Sequence, residues 1–255
     1  MKKIALVTGA TSGIGKAIAV KLAKEGYGII ISGRRQERLE ELEKELEVKY
    51  GVKVLSLCFD VRSFNEVQMA IDNLPEEWKS IDILVNNAGL AVGLSPIHQG
   101  VVDDWERMID TNIKGLLYMT RTVSPGMVER KSGHIINLCS IAGKEVYLNG
   151  NVYCATKHAV DALSKGMRID LLPYNIRVTQ VCPGAVETEF SLVRFKGDQS
   201  RADKVYDGFA PLEAEDIANA VYYAIAQPPH VDIQDVLVMP TAQANGTTFH
   251  REENK

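Results

Sequence analysis

Cysteine is scarce in this chain and never paired. Cys58, Cys139, Cys154 and Cys182 are dispersed, with no Cys-x-x-Cys, which argues against a disulfide framework and predicts free thiols in a reducing cytoplasm. The five histidines, His98, His134, His158, His230 and His250, show no ligand spacing, so no protein-bound metal is expected. No apolar run approaches the ~18 residues of a membrane span. The run Ile4-Ala5-Leu6-Val7 ends at once in Thr8-Gly9, too short for a signal peptide. A cytoplasmic protein without a membrane partner is therefore expected. Charge of one sign is also lacking: the net charge is -4, and Arg34, Arg35 and Arg38 make only a small local cluster. That gives no basis for a nucleic-acid surface. With 255 residues, 45% of them hydrophobic, the chain is long enough for one domain with a sizeable core.

What is present is an alternation of short apolar runs and helical patterns. The runs at 4–7, 29–31, 52–59, 83–85, 134–138, 176–181 and 236–239 read as strands. Between them lie helical stretches, among them 35–49, 63–74, 105–130 (broken near Pro125-Gly126), 153–172 and 213–226. Such alternation calls for an α/β fold, a parallel sheet with helices on both faces. Residues 185–212 have mixed period and many charges, and so long a loop reads as a substrate lid or as disordered chain. The polar tail from Ala242 to Lys255 lacks periodicity, and either frays or docks on a neighbouring subunit.

Glycine concentrates after the first strand, in Thr8-Gly9-Ala10-Thr11-Ser12-Gly13-Ile14-Gly15. A strand, a glycine-rich turn and a helix N-terminus together offer free backbone N–H groups and a dipole to an anion. The spacing Gly-x3-Gly-x-Gly differs from the common dinucleotide fingerprint. Gly15-Lys16 only resembles a P-loop, because Ala10 and Ala17 stand where that motif needs Gly and Ser or Thr. The alternative is a tight turn without ligand. Arg34 lies 19 residues after Gly15, at the end of the second strand. An arginine there, with Arg35 beside it, accommodates a 2'-phosphate where an acid would bind a ribose hydroxyl, so NADP(H) is favoured over NAD. The alternative for these two is a solvated helix start. Asp60-Val61 closes the third strand, where a carboxylate can meet an adenine amino group. Asn86-Asn87-Ala88-Gly89 closes the fourth and suits a backbone wall for a nucleotide, or a hydrogen-bonded turn.

Four further positions carry chemistry. Tyr153 and Lys157 are four apart and share a helix face. A cation beside a phenol favours the phenolate, and moving a tyrosine from ~10 to ~7 takes about 4 kcal/mol, more than one solvated charge supplies. An oxidised nicotinamide would add a second cation, and Tyr153 would then exchange a proton with an alcohol near neutral pH. Ser140, just past the fifth strand, is placed either to hold a substrate oxygen or to cap a turn. Asn112 is polar among Met108, Ile109 and Leu116 and needs a partner, in a packed network or a water relay.

Thr8-Gly-x3-Gly-x-Gly15, Asn86-Asn-Ala-Gly89, Asn112, Ser140 and Tyr153-x3-Lys157 resemble, in order and spacing, the short-chain dehydrogenase/reductase family. The resemblance covers essentially the whole chain. It implies a Rossmann-type doubly wound sheet of seven parallel strands, hydride transfer between a nicotinamide and an alcohol or carbonyl, and a dimer or tetramer. It further implies that Tyr153 is the general acid or base, and that Lys157 binds the nicotinamide ribose and depresses the tyrosine pKa. Ser140 would hold the substrate oxygen and Asn112 would support a proton-relaying water. Pro183-Gly184 and Val186 would flank the nicotinamide, with Thr188 near its carboxamide.

Further strings, Arg34-Arg-Gln-Glu-Arg-Leu39, Ile109-Asp-Thr-Asn112, Gly150-Asn-Val-Tyr153, Thr188-Glu-Phe-Ser191 and Val193-Arg-Phe-Lys-Gly-Asp198, are similar to bacterial NADP-dependent 3-hydroxy acid dehydrogenases. That group implies a homotetramer and substrates such as serine, allo-threonine or 3-hydroxypropionate, with relatives reducing malonic semialdehyde or sulfoacetaldehyde. A small anionic substrate then needs a cation outside the catalytic set. Arg194 in the lid is the candidate, with Tyr147 adding a hydrogen bond; the alternative is a surface arginine. Two rival readings are a reductase of larger neutral ketones, disfavoured by Lys196, Asp198 and Arg201 in the lid, and a non-catalytic NADP-sensing protein, disfavoured because all four catalytic positions are filled.

Overall fold

The computed structural model describes residues 3–252. Its frame is a seven-stranded, all-parallel sheet in the order β3-β2-β1-β4-β5-β6-β7. The strands are β1 (Ile4–Thr8), β2 (Gly28–Gly33), β3 (Val54–Cys58), β4 (Ile81–Asn86), β5 (Gly133–Leu138), β6 (Ile176–Pro183) and β7 (Asp235–Val238). Helices connect them: α1 (Gly13–Lys24), α2 (Gln36–Tyr50), α3 (Phe64–Asp72), α4 (Val102–Ile109), α5 (Leu116–Arg130), α6 (Asn151–Leu171), two short lid helices α7 (Glu189–Arg194) and α8 (Gln199–Asp203), and α9 (Ala214–Ile225).

Why these runs form strands follows from burial on both faces. Along the central strands, alternate residues serve two different cores. Ala5, Val7, Ile29, Ile31, Ile83 and Val85 pack with α1, α2 and α9. Leu6, Ile30, Leu84, Ile135 and Val178 pack on the opposite face with α3, α5 and α6. A strand that serves two cores has no polar side to show, so its sequence is a continuous apolar run. The chain steps outward from β1 to β2 and β3, then returns past β1 to begin β4. The reversal leaves a crevice beyond the carboxyl ends of β1 and β4, where ligands bind in such sheets.

Three expectations need correction. The helix expected to break near Pro125 does not: α5 runs through it to Arg130, with Val123 and Met127 buried in the core on either side. The irregularity lies earlier, in a π-helical turn over Asp110–Gly115 between α4 and α5, and it turns Asn112 into the interior. The lid is not structureless: α7 and α8 are capped by the side chains of Thr188 and Asp198, which accept from Phe190 N–H and Arg201 N–H. The tail does not fray over 242–252. It folds back in a small hairpin bridged at Gln243 and Phe249 and packs on its own lid, because Phe249 and Arg251 find partners there. Residues 253–255 of the expected tail lie outside the described residues.

Candidate active site

A cavity of about 640 Å³ opens at the carboxyl ends of the strands. Its floor starts at the glycine-rich turn. Gly9 (φ +65) and Gly13 (φ +53) hold left-handed backbone that other residues resist. A side chain at Gly15 would run into Asn87 Nδ2 and the Gly9 carbonyl. The turn is tied to the β4 end: Thr8 Oγ1 accepts from the Asn87 and Ala88 N–H groups at 3.0 Å, and Asn87 Nδ2 donates to the Thr8 carbonyl at 2.8 Å. The N-terminus of α1 has no side-chain cap and no acid in its first turn. Its N–H groups and dipole are thus left for an anion from outside.

At that pole Arg35 donates to Thr11 Oγ1 at 2.7 and 3.0 Å and to Ser12 Oγ at 2.8 Å. Its remaining nitrogen meets Glu189 at 3.0 Å, and Arg38 meets the same carboxylate at 2.8 Å. Arg38 foremost, then Arg35 and Ser12, hold the Glu189 carboxyl down at about 2 against its partial burial. Arg34 lines the cavity with a largely exposed guanidinium, 3.7 Å from Asp60. Asp60, expected to face an adenine, is already engaged: Arg62 clasps it with Nε at 2.9 Å and Nη2 at 2.6 Å. Its own burial pushes the Asp60 carboxyl up, and the Arg62 contacts override that and hold it below the usual range.

At the other pole stand the residues of α6 and the lid. Tyr153 and Lys157 are both buried, with the ammonium 6.0 Å from the phenol ring centre. Lys157 Nζ donates to the Leu138 carbonyl at 2.8 Å, and burial lowers its pKa, with the Cys139 and Cys182 thiols opposing. The Tyr153 phenol is pushed up to about 12, foremost by burial. Pulling it back are the Arg194 guanidinium and the Ser140 hydroxyl. Arg194 lies over the ring at 5.0 Å, nearer than the Lys157 ammonium. Ser140 Oγ accepts from the Ala142 N–H at 3.1 Å, and it lines the cavity at the end of β5.

Arg194 is not a surface residue. Its guanidinium sits among the rings of Tyr147, Tyr153 and Phe190, at 5.6, 5.0 and 5.1 Å, and Nη2 donates to Tyr147 Oη at 2.6 Å. Its Nε is buried and has no hydrogen-bond partner among the described residues. Burial pushes the Tyr147 phenol well above its ordinary value, with Arg194 opposing. A buried donor left unpaired is costly unless a ligand takes it up.

The cavity gathers all but one of the expected residues. Gly9, Thr11, Ser12, Gly13, Ile14, Gly15, Arg34, Arg35, Asp60, Val61, Asn87, Ala88, Gly89, Ser140, Tyr147, Tyr153, Lys157, Pro183, Gly184, Val186, Thr188 and Arg194 all line it. Asn112 does not. It lies one layer behind, its Oδ1 accepting from Leu90 N–H at 2.9 Å while Nδ2 donates to the Leu90 carbonyl and to Thr156 Oγ1. The packed network expected as one alternative is therefore present. The lid charges expected to oppose a greasy pocket are outside it: Lys196 pairs with Asp104 at 2.8 Å, Asp198 caps α8 and Arg201 stacks on Phe195. Sequence reasoning missed Glu189, Phe190, Gln243, Gly246 and Phe249 in the wall. Glu189 and Phe190 adjoin Thr188 in sequence and were within reach, whereas the tail residues carry no motif at all.

Residues 3–198 match the family model described as short chain dehydrogenase. The chain is 50% identical over 250 residues to a protein of Salmonella typhi named NADP-dependent 3-hydroxy acid dehydrogenase YdfG, spanning 97% of this chain and 99% of that one. A Schizosaccharomyces pombe protein named NADP-dependent 3-hydroxy acid dehydrogenase is 43% identical, over 98% of this chain and 97% of its own. Among solved structures, the closed form of a serine dehydrogenase complexed with NADP+ superposes with a TM-score of 0.91 at 49% identity, covering 98% of this chain and all of that one. Sequence, sheet order and site together establish that the chain belongs to the short-chain dehydrogenase family.

Proposed function

We propose that this chain is an NADP(H)-dependent oxidoreductase that interconverts a short 3-hydroxy acid, or its sulfonate analogue, with the corresponding oxo compound. The observation that carries the reading is Arg194, a half-buried arginine whose buried Nε has no partner among the described residues, in the same wall as Tyr153, Tyr147 and Ser140. An anionic head group would take up that donor, and Tyr147 would add a hydrogen bond. The names of the relatives point the same way.

For the cofactor, the uncapped start of α1 and the glycine-rich turn suit a pyrophosphate, and Arg34 and Arg35 at the end of β2 suit a 2'-phosphate. Asn87, Ala88 and Gly89 would form the wall along the nucleotide; Pro183, Gly184, Val186 and Thr188 would enclose its nicotinamide end. When bound, the nicotinamide supplies or accepts the hydride. Ser140 orients the substrate oxygen, and Tyr153 gives that oxygen its proton in reduction and takes it back in oxidation. A phenol near 12 is protonated at neutral pH, ready to act as the acid. Lys157 holds ribose hydroxyls and, with a cationic nicotinamide, stabilises the phenolate. Asn112 fixes Leu90 and Thr156; a side chain at Gly89 would meet Asn112 Oδ1 at 3.3 Å and Lys157 Nζ at 3.6 Å, so both groups stand close about Gly89, where Asn112 would support a relay water. Exposed Val101, Val102, Ile109 and Leu117 on α4, α5 and their lead-in support a homotetramer or dimer. The expected setting is the cytoplasm.

Initial rates at 340 nm test the reading. Arg194→Met is expected to raise KM for L-serine, L-allo-threonine or 3-hydroxypropionate by about ten- to a hundredfold, the value of a charge-assisted hydrogen bond, and to spare a neutral secondary alcohol. Equal losses on acid and alcohol would return Arg194 to a structural role and favour a reductase of neutral ketones.

A further inference from the structure

Glu189 opens α7, yet its carboxylate ends between two arginines of another element. Arg35 is the residue on which α2 starts, and Arg38 stands three places on, so the two share one face of its first turn. A helix start already carries partial positive charge, and two guanidinium groups there call for an anion. Glu189 supplies it: Oε2 accepts from Arg35 Nη1 at 3.0 Å and Oε1 from Arg38 Nη1 at 2.8 Å. Its carboxyl, held down at about 2, is charged at neutral pH.

The two arginines serve different spaces. Arg35 lines the cavity described above, beside Arg34, Thr11 and Ser12. Arg38 lines a second hollow of about 630 Å³, which shares Glu189 with the first and is otherwise walled by Glu41, Glu45, Glu187, Glu213 and Glu215. So many carboxylates repel a phosphate, and Arg38 is left to Glu189 as a partner. Arg35 is different, because the donor it gives to Glu189 is one that a 2'-phosphate would use. Carboxylate and phosphate both meet a guanidinium through paired oxygens, and a phosphate dianion brought within a few ångströms of the carboxylate is repelled by it. Nor does Arg35 need Glu189 to hold its place. Its Nε and Nη2 already donate to Thr11 Oγ1, and Nη2 to Ser12 Oγ. Both ion pairs of Glu189 are nearly half exposed, and pairs of that kind are weak enough to exchange.

We propose that Glu189 is a built-in competitor for the 2'-phosphate of NADP(H). In the free chain it neutralises Arg35 and Arg38; when the phosphate arrives it gives up Arg35 and keeps Arg38. It is thus a specificity-determining residue, and it lowers the preference for NADP(H) over NAD(H) below what the arginines alone would give. The proposal rests on the 2'-phosphate site proposed above for Arg34 and Arg35.

Fluorescence titration of NADPH and of NADH tests it, on the full chain carrying Glu189→Gln, Arg38→Gln or both. Glu189→Gln keeps the size of the side chain and removes its charge. It is expected to tighten NADPH about three- to fivefold, the scale of a partly exposed charge pair, and to leave NADH within about twofold. Arg38→Gln is expected to do the opposite and weaken NADPH about threefold, because the carboxylate then has only Arg35 to rest on. In the double variant that loss is expected to vanish, since no carboxylate remains to be parked. Equal weakening of both nucleotides in Glu189→Gln would make the carboxylate a structural tie to α2 and overturn the proposal. So would a loss in Arg38→Gln that persists in the double variant, which would mean that Arg38 attracts the phosphate itself. A preference for NADPH that is present in the wild type and unmoved by Glu189→Gln would remove the competitor and leave the 2'-phosphate site standing. If wild type and Glu189→Gln alike bind NADPH no better than NADH, the site itself fails and the competitor with it.

Discussion

Two side chains in this site carry conditions unusual for their type. Tyr153 is a phenol held near 12 by burial against the pull of Arg194 and Ser140. The acid form needed for reduction is therefore saturated through neutral pH, and the phenolate needed for oxidation grows as pH rises. The expected kcat/KM for oxidation climbs with pH by roughly tenfold per unit over ~7–10, while that for reduction stays flat there. Saturating NADP+ adds a positive charge and moves the midpoint down without changing the sign. Tyr153→Phe is expected to abolish the slope and cost about 10²- to 10⁴-fold in rate with an unchanged circular dichroism spectrum. A residual rate with the wild-type slope would show that another group moves the proton. Arg194 is the second such side chain, a half-buried cation among three rings.

Among the elements, the glycine-rich turn and the lid decide most. The turn is packed as tightly as a core, and the space at Gly15 is closed by Asn87 Nδ2 and the Gly9 carbonyl. Gly15→Ala is expected to destabilise the fold by about 1–3 kcal/mol and to weaken NADPH binding together with it. Thermal unfolding and fluorescence titration of NADPH read the two effects, and a neutral substitution would show that β1 and α1 separate easily. The lid could be recognised in the sequence as a segment without one period. Its two helices could not, since each is only a turn or so long and depends on a single capping side chain, Thr188 or Asp198. The helix through Pro125 was illegible for the opposite reason: local propensity argues for a break, and burial of Val123 and Met127 outweighs it.

Taken as one body, the molecule couples its cofactor to its stability. A ligand that binds only the folded chain adds about 2.7 kcal/mol at a hundredfold excess over Kd. NADPH is expected to raise the melting temperature by several degrees, and NADH at the same concentration by less, because it lacks the 2'-phosphate that Arg34 and Arg35 would meet. Arg34→Asp is expected to erase most of that difference in scanning calorimetry. Equal shifts for both nucleotides in the wild type would remove the 2'-phosphate site. The apolar cores on the two faces of the sheet make this a single cooperative response, in which the lid and the C-terminal segment contribute least.

The sequence by itself determined the sheet, the order of its motifs and the candidates for the catalytic set. A strand buried on both faces leaves a short apolar run, a helix four residues on aligns Tyr153 with Lys157, and a phosphate turn demands glycine; each is a local rule that one stretch of chain obeys alone. Only the tertiary structure decided what these groups meet. That Asn112 lies behind the wall, that Glu189 stands on Arg35 and Arg38, that Gln243 reaches the cavity wall and that Arg251 reaches the Val205 carbonyl are contacts between residues far apart in sequence. Side chains without a period leave no mark of their partners in sequence. Their roles exist only once the sheet has brought its carboxyl ends, the lid and the tail to one place.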